Sequence, residues 1–142
     1  MKKLLSILSF CLVFISCSPD RVLINDLTNK GTDAKPTMFF EGALFNGVGF
    51  DVYEDGQLKA EGTLKDGKWN GLYKSWYENG QLKAEANSKD GKFDGIVKSW
   101  YENGQLRYEE NWKDGKFDGL QKKWDENGKL ESEGNYKDGI GQ

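Results

Sequence analysis

A chain of 142 residues with no histidine and only two cysteines cannot build a Ser-His-Asp triad, a Cys-His dyad or a histidine-containing zinc site from its own side chains. Its formal net charge is −3, and −5 once the two N-terminal lysines are set aside with the segment they introduce, a balance that disfavours nucleic acid as a partner.

Residues 1–16 read as a secretory signal peptide. Lys2 and Lys3 form a short positive stretch, and Leu4 to Ser16 is apolar and uncharged. As a helix these 13 residues would span only ~20 Å, short of the ~30 Å hydrocarbon core of a bilayer. The segment ends in Phe14-Ile15-Ser16-Cys17, which resembles the lipobox of bacterial lipoproteins, with Phe14 where leucine is usual. The resemblance implies that Cys17 is lipidated and becomes the mature N-terminus, against the plainer reading of an ordinary thiol beyond a cleavage site. Several acyl chains at ~0.8 kcal/mol per buried CH₂ would hold the body at a membrane. The expected location is the cell envelope, outside the cytoplasm, at the outer membrane or cell surface. Cys11 lies within the apolar segment, so the body has no disulfide and depends on packing and backbone pairing.

Residues 17–37 then read as the lipidated cysteine and a flexible tether, with mixed polarity, two prolines and no sustained period. Val22-Leu23-Ile24 is the stretch within it suited to dock as a short edge strand. Residues 38–142 form the body. After a shortened, degenerate copy over about 39–52, three near-identical units occupy 53–76, 77–100 and 101–124, and a partial unit follows at 125–142. The period is 24 residues, and repetition at such a period is the mark of a stacked architecture.

Each unit carries two turn signals. One series is Asp55-Gly56, Asn79-Gly80, Asn103-Gly104 and Asn127-Gly128; the other is Asp66-Gly67, Asp90-Gly91, Asp114-Gly115 and Asp138-Gly139. Both dipeptides supply the positive φ angles of a two-residue type I′ hairpin loop. The predicted fold is all-β, an elongated single-layer antiparallel meander of stacked hairpins with eight or nine strands, counting those around Met38–Phe45 and Val48–Glu54.

Two-residue loops fix a register. Around Asn79-Gly80 they pair Glu78 with Gln81, Tyr77 with Leu82, Trp76 with Lys83, Ser75 with Ala84 and Lys74 with Glu85. The same count sets Lys98 opposite Glu109 and Lys122 opposite Glu133, three copies of a favourable cross-strand pair. It also sets Trp100 opposite Arg107 and Trp124 opposite Glu131, so that Trp76 and Trp100 face cations within cation–π reach and Trp124 does not. One face then carries Leu58, Ala60, Gly62, Leu64, Trp69, Gly71, Tyr73, Ser75, Tyr77, Leu82, Ala84 and Ala86, bulky rings beside small residues, and is the expected core face. The other is mostly charged, with Leu72, Ile96, Leu120 and the tryptophans among the charges. A bulge at Gly71, Gly95 or Gly119 would exchange the faces over part of each second strand.

The recurring pattern YENGQLK-E-N-KDGK-F-DG-x-K-W, from roughly Phe39 to Gly139, resembles the MORN repeat, in the bacterial variant found in YwqK-type antitoxin repeat proteins. The resemblance implies a twisted sheet of stacked hairpins that mediates protein or membrane contact, without catalytic residues or a cofactor, and its antitoxin label implies neutralisation of a toxin.

Candidate binding residues are Trp76, Trp100 and Trp124, with Lys83 and Arg107. The tryptophans recur every ~10 Å along the sheet, two strands at ~4.8 Å each. Such a row either grips a peptide or sugar ring, or packs along the sheet and holds its repeats together. The Lys-Asp-Gly-Lys turns lack the carboxylate spacing of a calcium loop, so neither metal nor cofactor is expected. The glutamates belong to Lys–Glu ladders rather than to a glycosidase pair. The expected function is therefore a non-catalytic protein-interaction or scaffold module with an immunity-like role. A partner strand could add at the sheet edge that follows Gly139. The alternative is a surface protein that binds cell-wall glycan through the tryptophan row.

Overall fold

The computed structural model describes residues 20–31 and 36–142; residues 1–16, expected as a signal peptide, and Cys17 lie outside the described residues. Thirteen strands are formed: β1 (Arg21–Leu23), β2 (Thr28–Asn29), β3 (Met38–Phe40), β4 (Ala43–Leu44), β5 (Gly47–Val52), β6 (Leu58–Lys65), β7 (Lys68–Trp76), β8 (Leu82–Lys89), β9 (Lys92–Trp100), β10 (Leu106–Lys113), β11 (Lys116–Trp124), β12 (Leu130–Lys137) and β13 (Ile140–Gly141). Strands β5 to β13 form the expected antiparallel meander, and β1 adds in parallel beside β5 to complete ten strands. Strands β2, β3 and β4 make a separate small sheet.

The two turn series differ. At Asp66-Gly67 both residues have positive φ, 50° and 72°, and Lys65 pairs with Lys68, so the loop is the expected two-residue type I′ turn. At the Asn-Gly sites only the glycine is left-handed, with Gly80 at φ 80°. There the Gly80 amide donates to the Tyr77 carbonyl at 2.9 Å and the Tyr77 amide to the Gln81 carbonyl at 2.8 Å. The loop thus has three residues, Glu78-Asn79-Gly80, closed by Tyr77 and Gln81. The Asn79 side chain accepts the Gln81 amide at 3.0 Å, which holds the asparagine in the turn that a type I′ loop would abolish.

A compensating bulge follows. Trp76 pairs with Leu82 while Ser75 pairs with Ala84, leaving Lys83 as the extra residue. The expected pairs Glu78–Gln81, Tyr77–Leu82 and Trp76–Lys83 are therefore absent. One residue gained in the loop and one lost to the bulge restore the expected register from Ser75 onward. The Lys–Glu rungs form as expected: Lys74–Glu85 at 3.1 Å, Lys98–Glu109 at 2.9 Å and Lys122–Glu133 at 3.9 Å.

The anticipated irregularity at Gly71 exists, with a different consequence. Gly62 pairs with Tyr73 and Leu64 with Trp69, so β7 carries two more residues than β6 between these rungs. Gly71 takes the positive φ of 112° that the detour requires. Because two residues are inserted, not one, side-chain alternation is preserved and the faces do not exchange.

Neighbouring units are stitched along both margins. On one, the amides of Gly67, Gly91, Gly115 and Gly139 donate to the carbonyls of Phe45, Trp69, Phe93 and Phe117 at 2.8–2.9 Å. On the other, the hydroxyls of Tyr53, Tyr77 and Tyr101 donate to the carbonyls of Trp76, Trp100 and Trp124 at 2.7, 2.7 and 2.9 Å.

Within the expected tether, the edge strand anticipated at Val22-Leu23-Ile24 forms as β1, and residues 24–29, rather than remaining tether, form a 3-10 turn over Ile24–Asp26 and β2. The Val22, Leu23, Ile24 and Leu27 side chains supply the reason, since the first unit is where the sheet has a true core. Val22, Phe45 and Leu64 are 5%, 0% and 2% exposed there, packed with Leu27, Met38, Phe40 and Trp69. Among the described residues the buried hydrophobics number only five, the others being Ala60 and Ala86.

Candidate functional site

A trough runs across the strands of the first two units, built from a cross-strand row of small residues. Successive Cα partners read Asp51, Ala60, Ser75, Ala84 and Ser99, after which the same row continues with Tyr108 and Lys123. Four small residues in a line leave a shallow depression, and at two of them, Ala60 and Ser75, larger side chains turn it into a hollow of about 610 Å³, walled by Tyr53, Trp69, Tyr73, Trp76 and Phe93. At Tyr108 the depression is filled by a ring.

Trp76 lines this hollow together with Trp69 and Tyr73, contrary to its expected place on the opposite face. The pairing register shifts at this point, where Lys83 is the extra residue of β8 between the rungs Ser75–Ala84 and Trp76–Leu82. The bulge also corrects the cation pairing. Lys83 lies over the Tyr77 ring at 5.3 Å and Arg107 over the Tyr101 ring at 5.4 Å, in place of Trp76 and Trp100, while Trp124 pairs with Leu130 rather than Glu131. The tryptophans Trp76, Trp100 and Trp124 serve the fold through their backbone carbonyls, which accept the tyrosine hydroxyls of the preceding unit.

The charges beside the trough vary systematically. Equivalent positions 24 residues apart hold Asp51 with Lys59, Ser75 with Lys83, Ser99 with Arg107, and Lys123 with Glu131. The first couple is an ion pair at 2.9 Å and the last, with its charges reversed, an ion pair at 2.7 Å. The hydrogen bond to Asp51 raises the Lys59 pKa above its ordinary value, and the hydrogen bond to Glu131 does the same for Lys123. In the two middle units a serine stands where the carboxylate would be. Among the described residues, neither Lys83 nor Arg107 has a carboxylate oxygen within ion-pair distance. Arg107 does share a second hollow, of about 490 Å³, with Glu102 and Glu126.

Burial holds the Tyr73 and Tyr77 hydroxyls above their usual pKa, so both stay protonated donors at neutral pH. Among the described residues no group of three or more acids and thiols converges as a metal site would require. The glycines of the two turn series (Gly56, Gly80, Gly104 and Gly128; Gly67, Gly91, Gly115 and Gly139) all have positive φ and shape the margins. The tyrosine row was missed in the sequence; its signal was the tyrosine that opens each unit, two residues before the Asn-Gly or Asp-Gly pair.

The MORN repeat variant matches four consecutive segments, 45–66, 69–90, 93–114 and 117–138, which together make up more than half of the chain. Their period is the same 24 residues, phased to begin at Phe45, Trp69, Phe93 and Phe117, the residues whose carbonyls accept the inter-unit glycine bonds. No curated protein and no solved structure matches. By these four segments and the hairpin stack they describe, the chain belongs to the MORN repeat variant family.

Proposed function

We propose that the protein is a membrane-anchored repeat lipoprotein whose sheet binds another protein without catalysing a reaction, in an immunity-like role at the cell envelope. The observation that carries the reading is the single-layer construction. A sheet that buries so few side chains leaves Leu72, Ile96 and Leu120, at equivalent positions of successive units, between 40% and 46% exposed, and apolar side chains repeated along one surface favour association. Anchoring rests on the lipobox-like Phe14-Ile15-Ser16-Cys17, with Cys17 as the acylated residue.

The test is to label cells with a fatty-acid analogue and isolate tagged full-length protein from membranes after chemical cross-linking, beside a Cys17→Ala control that cannot take the label. A defined protein cross-linked to the labelled form and lost from the control supports the reading. Equal capture by the unlabelled form removes the anchor from it, and absence of any cross-linked protein overturns it.

A second reading, cell-wall glycan binding, is favoured by Trp76 on the trough wall. Replacing Trp76, Trp100 and Trp124 with alanine leaves the carbonyls that accept the tyrosine hydroxyls in place. Loss of glycan affinity with an intact melting transition would therefore indicate direct stacking.

A further inference from the structure

We infer that the trough docks a polyproline II segment of a partner protein bearing carboxylates three residues apart, an inference that rests on the protein-interaction reading and specifies its ligand. The argument begins with pitch. Equivalent side chains recur every two strands, or ~9.6 Å along the sheet. A polyproline II helix rises ~3.1 Å per residue with three residues per turn, so its side chains at i and i+3 share one face ~9.3 Å apart. An extended β-strand has no such match, because its i and i+3 side chains point to opposite faces.

The surface has the form such a helix needs. Aromatic ridges with small residues between them accept the ridged, preformed polyproline II helix at low entropic cost. Here Tyr53 at the first hollow and Tyr77 at the second stand one repeat apart, joined by their hydroxyls to the next unit, and the cross-strand row Ala60, Ser75, Ala84 and Ser99 runs beside them as the floor. Three strand spacings give this floor a length of ~14 Å, about four to five polyproline II residues.

Charge selects the sequence of the ligand. In a body of net negative charge, Lys83 and Arg107 are, among the described residues, the cations of this row without an ion pair; Lys83 lines the first hollow and Arg107 the second, beside Glu102 and Glu126, and they belong to the two units whose couple holds a serine. The ion pairs Asp51–Lys59 and Lys123–Glu131 close the row at both ends. Two cations one repeat apart match two carboxylates one polyproline II turn apart.

The repeats supply fold-compatible variants, since each substitution copies a residue that an equivalent position already carries. Ala84→Tyr repeats Tyr108 and fills the floor. Ser75→Asp repeats Asp51 and pairs Lys83 off within the protein. Asp51→Ser releases Lys59 and lengthens the free row to three cations.

The experiment is calorimetric titration of the full-length chain with synthetic peptides: (Glu-Pro-Pro)₄, (Gln-Pro-Pro)₄ and (Glu-Pro)₆, beside an oligogalacturonate. The expected result is binding of (Glu-Pro-Pro)₄ that weakens with salt, at least tenfold tighter than the other two peptides. Binding is lost in Ala84→Tyr, falls about threefold in Ser75→Asp and rises about threefold in Asp51→Ser, each a size set by one exposed ion pair, while circular dichroism and melting stay unchanged. Equal affinity for (Glu-Pro)₆, indifference to Ala84→Tyr, binding of the oligogalacturonate alone, or no binding at all would overturn the inference. If Ala84→Tyr melts early, Ser75→Asp and Asp51→Ser decide the matter by their opposite signs. If Ala84→Tyr cross-links the same envelope protein as the parent chain, the trough is not the contact surface, yet the protein-interaction reading survives.

Discussion

The first unit and the third are built from the same hairpin, and they hold together differently. In the first, Leu64 is buried beneath Phe45 and Val22. In the third, the equivalent position is Trp112, part of a line of rings in which Phe93, Trp112, Phe117 and Tyr136 follow one another with centroids 5.3, 4.2 and 5.5 Å apart. The first unit is stabilised by desolvation under a cover, the third by ring contacts on a half-open surface together with the backbone bonds to its neighbours. A repeated backbone can therefore be secured by whichever interaction its surroundings permit.

The largest effect is expected where the cover meets the sheet. Phe45→Ala should cost about 3–5 kcal/mol, the range for a fully buried aromatic side chain, read as a lowered denaturation midpoint. Phe93→Ala, at the equivalent but 42% exposed position, should cost less than half of that. Equal losses would mean that the cover is not the core.

Turn glycines sharpen the same contrast. Gly67 and Gly115 share a left-handed conformation, but a Cβ at Gly67 would lie 2.5 Å from the Met38 carbonyl oxygen, whereas at Gly115 it would meet only Lys92, at 3.6 Å. Gly115→Ala should cost about 1–2 kcal/mol for the backbone alone. Gly67→Ala should cost more, with amide exchange rising in β2, β3 and β4.

A smaller effect should come from the stitching bonds. Tyr77→Phe removes the hydroxyl that donates to Trp100, with an expected loss of about 0.5–1.5 kcal/mol, and Tyr101→Phe should lose as much. Because the bond recurs in each unit, the two losses should add in the double variant unless the units couple.

The smallest is a pH effect confined to the later units. The Asp114 amide holds the Asp94 carboxyl below its usual pKa, and Lys137 does so for Asp118. Carboxyls depressed in the folded state stabilise it above their unfolded pKa, and that contribution is lost as the pH falls through the folded value. Melting temperature should therefore decline on acidification below about pH 4. Asp94→Asn should flatten the decline while keeping the backbone bond, as Asn46 does when it accepts the Asp66 amide at 2.8 Å.

The repeat period, the hairpin stack, the Lys–Glu rungs and the mixed aromatic and small face could all be read from the sequence, because turn dipeptides and side-chain alternation are local signals. What escaped was competition between local options. Asn-Gly permits both a two-residue and a three-residue loop, and the asparagine side chain decides between them. The resulting bulges then took Lys83 and Arg107 away from the tryptophans and set them over Tyr77 and Tyr101. The edge strand at Val22-Leu23 was legible as a short apolar run, whereas the 3-10 turn and β2 that follow it escaped because Leu27 finds its partners far along the chain, on the first unit, where no periodicity announces them.

The stitching bonds run from backbone carbonyl to glycine amide or tyrosine hydroxyl, groups that every full unit possesses. As far as those bonds are concerned, one unit is as good a neighbour as another, and a nascent chain could count its hairpins wrongly by a whole repeat. The asymmetry lies at Gly67, whose carbonyl also accepts the Met38 amide at 2.7 Å, a bond that ties one turn to the small covering sheet. The cover thus acts as the zero mark of a ruler, from which the remaining units take their place in order.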